Sequence, residues 1–206
     1  RTQFAPAPAR RGYLEPGTRL SSMFQIDAPI ARGGMGEVYR GHNIQTGDTV
    51  AIKVIKADFS DNEAAFDLFK REARALNNLY HEAIVRYYVF AIDPALNRPY
   101  LAMEFVDGLS LPDALREGPL ARDDVLALAR RIGGGLHVAH QRQIVHRDVS
   151  PDNIIMPGGD VRAAKLIDFG IARGGALGAG TIVGTGVAGK YGYMSPEQAS
   201  GAEVGP

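Results

Sequence analysis

Two isolated charges on apolar segments constrain the fold of this chain more than any other feature of its sequence. The segment TVAIKVIK, residues 49–56, has the apolar and β-branched composition of a buried strand, and Lys53 lies in its middle. Residues 62–80 place apolar side chains at spacings of three and four, which predicts a helix with Glu72 near its apolar face. A charge on a buried face is costly unless it is paired. We therefore expect Lys53 and Glu72 to form an ion pair between this strand and this helix.

The composition limits the classes of protein to which the chain can belong. Its 206 residues are 45% hydrophobic, so a packed core is feasible. The 23 basic and 23 acidic side chains cancel, which argues against a protein that coats nucleic acid or binds membranes through a basic patch. The absence of cysteine fits a reducing compartment, and no apolar run approaches the roughly 18 residues of a membrane span. We expect a cytoplasmic domain with no nucleic-acid partner and no membrane segment in this stretch.

Hydrophobic periodicity divides the chain into a mainly β part and a mainly helical part. Residues 1–18 are rich in Ala, Pro and Arg, which predicts a flexible lead-in. The pattern changes near Asp107-Gly108, so the two parts are residues 19–106 and 107–206. The clearest elements are strands at residues 24–30, 49–56, 85–92 and 100–105, and helices at 62–80 and about 123–141.

Polar motifs that suit the binding of phosphate and of a metal ion lie between these elements. The segment IARGGMGEV, residues 30–38, is a glycine-rich turn that would let backbone N–H groups approach phosphate oxygens. The HRD sequence that ends at Asp148, together with Asn153, offers a carboxylate base and a metal-binding amide. The DFG sequence that begins at Asp168 offers a carboxylate for Mg²⁺. Each motif alone is a weak signal, whereas the whole set in this order is specific.

Together with Lys53 and Glu72, these motifs resemble those of Ser/Thr protein kinases, and GGMGEVYR and YMSPEQ are typical of bacterial members. The resemblance runs from about residue 19 to the end of the chain. It implies a two-lobed α+β fold in which a small antiparallel sheet with one helix is followed by a mainly helical lobe, with ATP and Mg²⁺ in the cleft between them. In the family, roughly 60–80 further residues follow the SPE motif, so we expect a kinase domain that is truncated after this motif.

The resemblance also assigns roles to individual residues. Lys53, held by Glu72, would contact the α- and β-phosphates, and Asp148 would accept or orient the proton of the substrate hydroxyl. Asn153 and Asp168 would hold Mg²⁺. The other nucleotide-binding residues are a phosphate-covering loop, a gatekeeper, a hinge, and apolar side chains that sandwich the adenine. The loop comprises Ile30, Ala31, Arg32, Gly33, Gly34, Met35, Gly36 and Val38; the gatekeeper is Met103; the hinge runs from Glu104 to Val106; and the adenine would lie between Val38, Ala51 and Ile155.

Departures from the family pattern leave alternatives open. Ala31 replaces the first glycine of the loop, and Ser150 stands where the family usually has lysine. Lys190 falls where a later threonine is expected, so we hypothesise that Lys190 reaches towards Asp148 while Ser150 supplies the hydroxyl partner. The alternative is that Ser150 is merely tolerated and that Lys190 is solvated. The same departures support a pseudokinase scaffold as an alternative to an enzyme.

The activity that the resemblance implies is transfer of the ATP γ-phosphate to Ser or Thr hydroxyls of proteins. The segment GKYGYM before SPE favours a protein acceptor over a small molecule, although a small-molecule phosphotransferase remains an alternative. Thr181 and Thr185 are candidate autophosphorylation sites, because a phosphate there would gain charge-assisted hydrogen bonds. Such a kinase is compatible with a dimer that autophosphorylates in trans, and with a membrane anchor elsewhere in the full-length protein.

Overall fold

The first half of the chain forms a six-stranded antiparallel sheet with the strand order β1-β2-β3-β4-β6-β5. The computed structural model describes residues 13–33, 36–56, 70–71, 73–169, 191–200 and 202–205. The strands of the sheet are β1 (Arg19–Leu20), β2 (Phe24–Arg32), β3 (Gly36–Asn43), β4 (Thr49–Ile55), β5 (Tyr87–Asp93) and β6 (Arg98–Glu104). The run of β-branched residues that predicts a strand at 49–56 thus forms β4, in the interior of the sheet.

The two faces of this sheet contribute to different apolar cores, because successive side chains of a strand point to opposite faces. The outer face buries Tyr39, Ile52 and Tyr100 in one cluster. The opposite face contributes Leu101 and Met103 to a larger cluster that is shared with the helical part of the chain. The larger cluster therefore joins the sheet to the helical part.

Residues 13–18 lie on the outer face, although they belong to the predicted lead-in. The backbone N–H of Gly17 donates to the carbonyl of Ile26 at 2.7 Å. The backbone N–H of Leu14 donates to the hydroxyl of Tyr39 at 2.8 Å. Residues 1–12 lie outside the described residues, and the boundary at residue 18 stays a prediction.

The second half of the chain combines helices with a small sheet. Its helices are α2 (Leu111–Glu117), α3 (Arg122–His140) and α4 (Pro196–Ser200), whereas α1, at the described residues 70–71 and 73–77, lies between β4 and β5 in the first half. The second sheet has the order β7-β8-β9, with β7 at Gly108–Ser110, β8 at Ile154–Pro157 and β9 at Lys165–Leu166. No helix among the described residues is long and apolar enough to cross a bilayer.

The observed elements agree with the predicted α+β order. The strands predicted at 85–92 and 100–105 are β5 and β6, and the helix predicted at about 123–141 is α3. The helix predicted at 62–80 is helical at its described residues up to residue 77, and its N-terminal half lies outside them. The lobe boundary between residues 106 and 107 stays a prediction.

Hydrogen bonds from the segment before β5 and from α3 fix strand β9 and the residue before it. The N–H of Leu166 donates to the carbonyl of Ala83 at 2.7 Å, and the N–H of Val85 donates to the carbonyl of Leu166 at 3.0 Å. From α3, the Nε of Arg131 donates to the carbonyl of Ala164 at 2.7 Å. The segment that follows β9, which contains Asp168, therefore begins from a rigid support.

Candidate active site

The segment between His146 and Asn153 forms a loop that its own side chains hold in place. The Nδ2 of Asn153 donates to the main-chain carbonyl of Asp148 at 2.7 Å and to Oδ2 of the same residue at 3.0 Å. The N–H of Asn153 donates to the carbonyl of Ser150 at 3.0 Å, within a 3₁₀ turn at Pro151–Asn153. The turn explains how a spacing of five residues brings the carboxylate of Asp148 and the amide of Asn153 together.

His146 connects this loop to the segment that contains Asp168. Its Nδ1 accepts the N–H of Asp148 at 3.2 Å, and its Nε2 lies 3.0 Å from the carbonyl oxygen of Ile167. An amide N–H can only donate and a carbonyl oxygen can only accept, so the imidazole proton is on Nε2. His146 is 1% exposed. One buried ring therefore fixes the positions of Asp148 and of the residue before Asp168.

Aromatic rings next to His146 continue this support towards the sheet. The rings of His146 and Phe169 have centroids 4.4 Å apart, and the N–H of Phe169 donates to the hydroxyl of Tyr87 at 3.2 Å. Burial raises the pKa of Tyr87 far above its usual range, and the nearby carboxylate of Asp168 raises it further. The hydroxyl of Tyr87 therefore stays neutral and remains a stable acceptor for Phe169.

Asp168 forms an ion pair with the lysine of β4. The ammonium of Lys53 donates to Oδ1 of Asp168. The side chain of Lys53 is 14% exposed and that of Asp168 is 36% exposed, so the pair lies at the edge of the core and faces solvent on one side. The backbone of Asp168 has φ +57°, a left-handed conformation that only a few per cent of non-glycine residues adopt, Asp and Asn more often than most. Glu72 lies outside the described residues, and its pairing with Lys53 stays a prediction.

The strand register places the predicted nucleotide-binding side chains on one face of the sheet. Ala31 is opposite Val38, Val38 is opposite Lys53, and Ala51 is opposite Met103. Residues that are directly opposite each other in a ladder share a face, so these side chains share the face that carries Lys53. Ile155 lies in β8, opposite Ser110 of β7 and Lys165 of β9, and is half-buried; its contact with adenine stays a prediction.

The glycine-rich turn closes through its own backbone. The N–H of Gly33 donates to the carbonyl of Gly36 at 2.9 Å, and Gly34 and Met35 between them lie outside the described residues. A Cβ on Gly36 would lie 2.1 Å from the carbonyl oxygen of Val54, so only glycine allows β3 to approach β4 there. Ile30, at the edge of the turn, is 51% exposed.

The hinge is fixed at its first residue. The N–H of Glu104 donates to the carbonyl of Arg86 at 2.8 Å, and its carboxylate accepts the ammonium of Lys165 at 2.7 Å. Val106 is half-buried and packs against the main core. A cavity of about 390 Å³ lies beside the Glu104 side chain, and its lining contains neither Lys53 nor Asp148. Of the predicted nucleotide-binding residues, the cavity lining contains only Glu104 among those that the structure describes.

Glu37 is a buried charge next to the turn that the sequence analysis did not select. It is 3% exposed, and its carboxylate pairs with Arg32 at 3.4 Å and with Arg98 at 2.5 Å. The side chain of Arg32, a predicted loop residue, is therefore held by Glu37. Strand alternation gives Glu37 the same face as Tyr39, so a charge on an apolar face was the signal available in the sequence.

The site has the components of a nucleotide-dependent phosphotransferase. Asp148 offers a carboxylate base, Asn153 and Asp168 offer oxygen ligands for a hard cation, and Lys53 offers a positive charge. A glycine-rich loop, a base and cation ligands of this kind, in a chain with a β part and a helical part, are typical of two-lobed kinases.

Comparison with known proteins identifies the family. The model described as "Protein kinase domain" matches residues 24–206, and the chain belongs to this family. It is 40% identical over 189 residues to the serine/threonine-protein kinase Pkn2 of Myxococcus xanthus, an alignment that covers 90% of this chain and 22% of that protein. It is 39% identical over 203 residues to PknL of Mycobacterium bovis, covering 94% of this chain and 49% of that protein. The chain thus spans about half, or less, of the length of these relatives.

Solved structures agree with this assignment. The crystal structure of the Mycobacterium tuberculosis PknI kinase domain matches with a TM-score of 0.72 and 25% identity, covering 94% of this chain and 71% of that one. The resemblance to bacterial Ser/Thr kinases and the predicted kinase fold are therefore confirmed. Use of ATP and Mg²⁺ is typical of the family. The roles of individual residues stay predictions.

Proposed function

We propose that the protein containing this chain transfers the γ-phosphoryl group of ATP to Ser or Thr hydroxyls of proteins in the cytoplasm. The observation that supports this most directly is the connection between the two halves of the site. Asp148, bonded to Asn153, is linked through the imidazole of His146 to the segment that carries Asp168, and Asp168 is paired with Lys53. Charged groups held in fixed positions suit phosphoryl transfer, which depends mainly on positioning and on neutralisation of charge.

In this proposal, each side chain has a role that its contacts suit. Asp148 orients the acceptor hydroxyl and takes its proton, and Lys53 contacts the phosphates. The Nδ2 of Asn153 is already used by Asp148, which leaves the amide oxygen as a ligand, and Asp168 adds a carboxylate. Such oxygen ligands fit Mg²⁺, which would neutralise charge on the phosphates when bound. Adenine would lie between the apolar side chains of the sheet and Ile155, next to the hinge.

The proposal is tested by incubating the whole protein with Mg-ATP and a mixture of generic protein acceptors, then mapping phosphosites by mass spectrometry. We expect phosphate on Ser or Thr residues of the acceptors and on Thr181 or Thr185 of the chain itself. Autophosphorylation whose specific rate rises with protein concentration would support transfer between two copies. The Asp148→Asn protein is the negative control.

The alternatives predict different outcomes of the same experiment. A pseudokinase scaffold would bind the nucleotide without consuming it. A small-molecule phosphotransferase would consume ATP only when metabolites are supplied and would leave the proteins unlabelled. Either result would contradict the proposal.

The environment of Ser150 supports the hypothesis that Lys190 reaches towards Asp148 and that Ser150 supplies its hydroxyl partner. Its side-chain oxygen is buried and has no hydrogen-bond partner among the residues that the structure describes, and Ser150 is 3% exposed. A buried hydroxyl without a partner costs about 1–3 kcal/mol, so a donor or acceptor from elsewhere is expected to reach it. We propose that Lys190 is this partner and that it brings its charge to the transferring phosphate.

Removing the charge of Lys190 tests whether Lys190 has taken over the role of the usual family lysine. We expect Lys190→Met to lower kcat by about 10- to 100-fold, because a charge beside the transferring phosphate is lost. The double variant Ser150→Lys with Lys190→Thr restores the usual family arrangement and should recover most of the rate. Steady-state kinetics on a protein acceptor measure both. A full rate for Lys190→Met would show that Lys190 is merely solvated.

A further inference from the structure

The turn that covers the phosphates in the proposed function is anchored from the face of the sheet opposite the nucleotide. Glu37 follows Gly36 directly, and it is paired across the β2–β3 ladder with Arg32. Val38, the next residue, has the alternate orientation and shares the face that carries Lys53. The side chain of Glu37 therefore lies behind the turn, on the side of the outer core.

The carboxylate of Glu37 connects several strands behind the turn. Oε1 of Glu37 accepts the guanidinium of Arg32, from β2, at 3.4 Å, and Oε2 accepts the guanidinium of Arg98, from β6, at 2.5 Å. The Nε of Arg98 also donates to the carbonyl of Ile55, at the end of β4, at 2.8 Å. The network thus joins both strands of the turn to the two strands that carry Lys53 and the gatekeeper.

The network is shielded from water on most sides. The side chains of Glu37 and Arg98 are 4% and 16% exposed, whereas that of Arg32 is 44% exposed. The guanidinium of Arg32 also lies over the ring of Tyr13, 5.5 Å from its centroid. Buried charge-assisted hydrogen bonds are stronger and less screened than those on a surface, so Glu37 and Arg98 dominate the network.

We infer that Glu37 is a positioning residue that sets the height of the phosphate-covering turn above the nucleotide, by fixing both of its strands to Arg98. This inference rests on the proposed function. It adds a residue whose side chain would touch neither substrate nor metal. A backbone that binds phosphate has to lie at a fixed distance from the sheet, and Glu37 anchors the described residues on both sides of the turn.

The test compares the wild-type protein with Glu37→Gln, which keeps the shape of the side chain and removes its charge. We expect the Kd for Mg-ATP, measured by calorimetry in the whole protein, to rise about tenfold, because the turn no longer holds a fixed position over the phosphates. The value of kcat at saturating ATP should change by less than about threefold, since the groups that act on the acceptor are untouched. Amide hydrogen exchange should become faster in residues 30–38 and stay unchanged in residues 87–104.

The control is Asp27→Asn, on the same two strands. Asp27 pairs with Nδ1 of His42 at 2.9 Å, and both side chains are about one-third exposed, away from the turn. An exposed pair of this kind contributes little. The Kd and the exchange pattern of Asp27→Asn should equal those of the wild type.

Arg32→Gln is a second variant, and it keeps the buried pair of Glu37 and Arg98. It tests the inference if Glu37→Gln does not fold. Arg32→Gln should raise the Kd for Mg-ATP by about threefold, because it releases one strand of the turn. An unchanged Kd in the variants, or faster exchange spread evenly over the whole sheet, overturns the inference and gives Glu37 a purely structural role. A wild-type protein that binds no Mg-ATP overturns the proposed function as well.

Discussion

Replacing Asp148 by Asn is expected to lower kcat by about 10²- to 10⁴-fold while the Kd for Mg-ATP stays within about twofold of the wild-type value. Asn has the size of Asp, and its amide oxygen can still accept the hydrogen bond that Nδ2 of Asn153 donates to Asp148. The loop should therefore keep its shape. The variant loses the negative charge and the basic oxygen that would orient and deprotonate the acceptor hydroxyl. Single-turnover transfer to a protein acceptor measures kcat, and calorimetry measures binding.

Asp152→Asn is the matched control for this prediction. Asp152 is exposed and lies in the 3₁₀ turn of the same loop, so replacing it by Asn removes an equal charge from nearly the same place. We expect less than a twofold change in kcat for this variant. Equal losses in both variants would indicate a general electrostatic effect of the loop. A large loss of Mg-ATP binding in Asp148→Asn would instead indicate that Asp148 is structural.

Local features of the site could be predicted from sequence because they depend on residues that are close along the chain. The pair between Asp148 and Asn153 spans five residues and follows from one turn. The strand around Lys53 follows from its β-branched neighbours. The ion pair between Lys53 and Asp168, in contrast, spans 115 residues, and periodicity alone gives no information about contacts at such a distance. The resemblance to a family placed these two residues in one cleft.

The features that the sequence analysis passed over depend on distant partners or on averages of composition. Glu37 meets Arg98 across 61 residues, and only the buried side of β3 distinguishes it from a surface glutamate. In the lead-in, the high content of Ala, Pro and Arg outweighed Tyr13 and Leu14, whose contacts with Tyr39 attach residues 13–18 to the sheet. The rule used for Lys53, that a charge on an apolar face needs a partner, would have selected Glu37 had it been applied to every strand.

The second large effect is expected at His146, where replacement by Leu should lower the free energy of unfolding by about 2–4 kcal/mol. Leu fills most of the volume but can neither accept the N–H of Asp148 nor donate to the carbonyl of Ile167. Both main-chain groups would be left without this partner next to the core, and each such loss costs about 1–3 kcal/mol. Urea unfolding followed by circular dichroism measures the change.

Two further variants separate the hydrogen bonds of His146 from its packing. His146→Phe keeps an aromatic ring against Phe169, whose ring centroid is 4.4 Å away, but loses both hydrogen bonds. If the hydrogen bonds dominate, His146→Phe should be nearly as destabilised as His146→Leu, and kcat should fall in both, since Asp148 and the segment before Asp168 lose their common support. His137→Leu, at an exposed position of α3, should stay within about 0.5 kcal/mol of the wild type. A His146→Phe protein with wild-type stability and rate would show that packing alone holds the two halves of the site together.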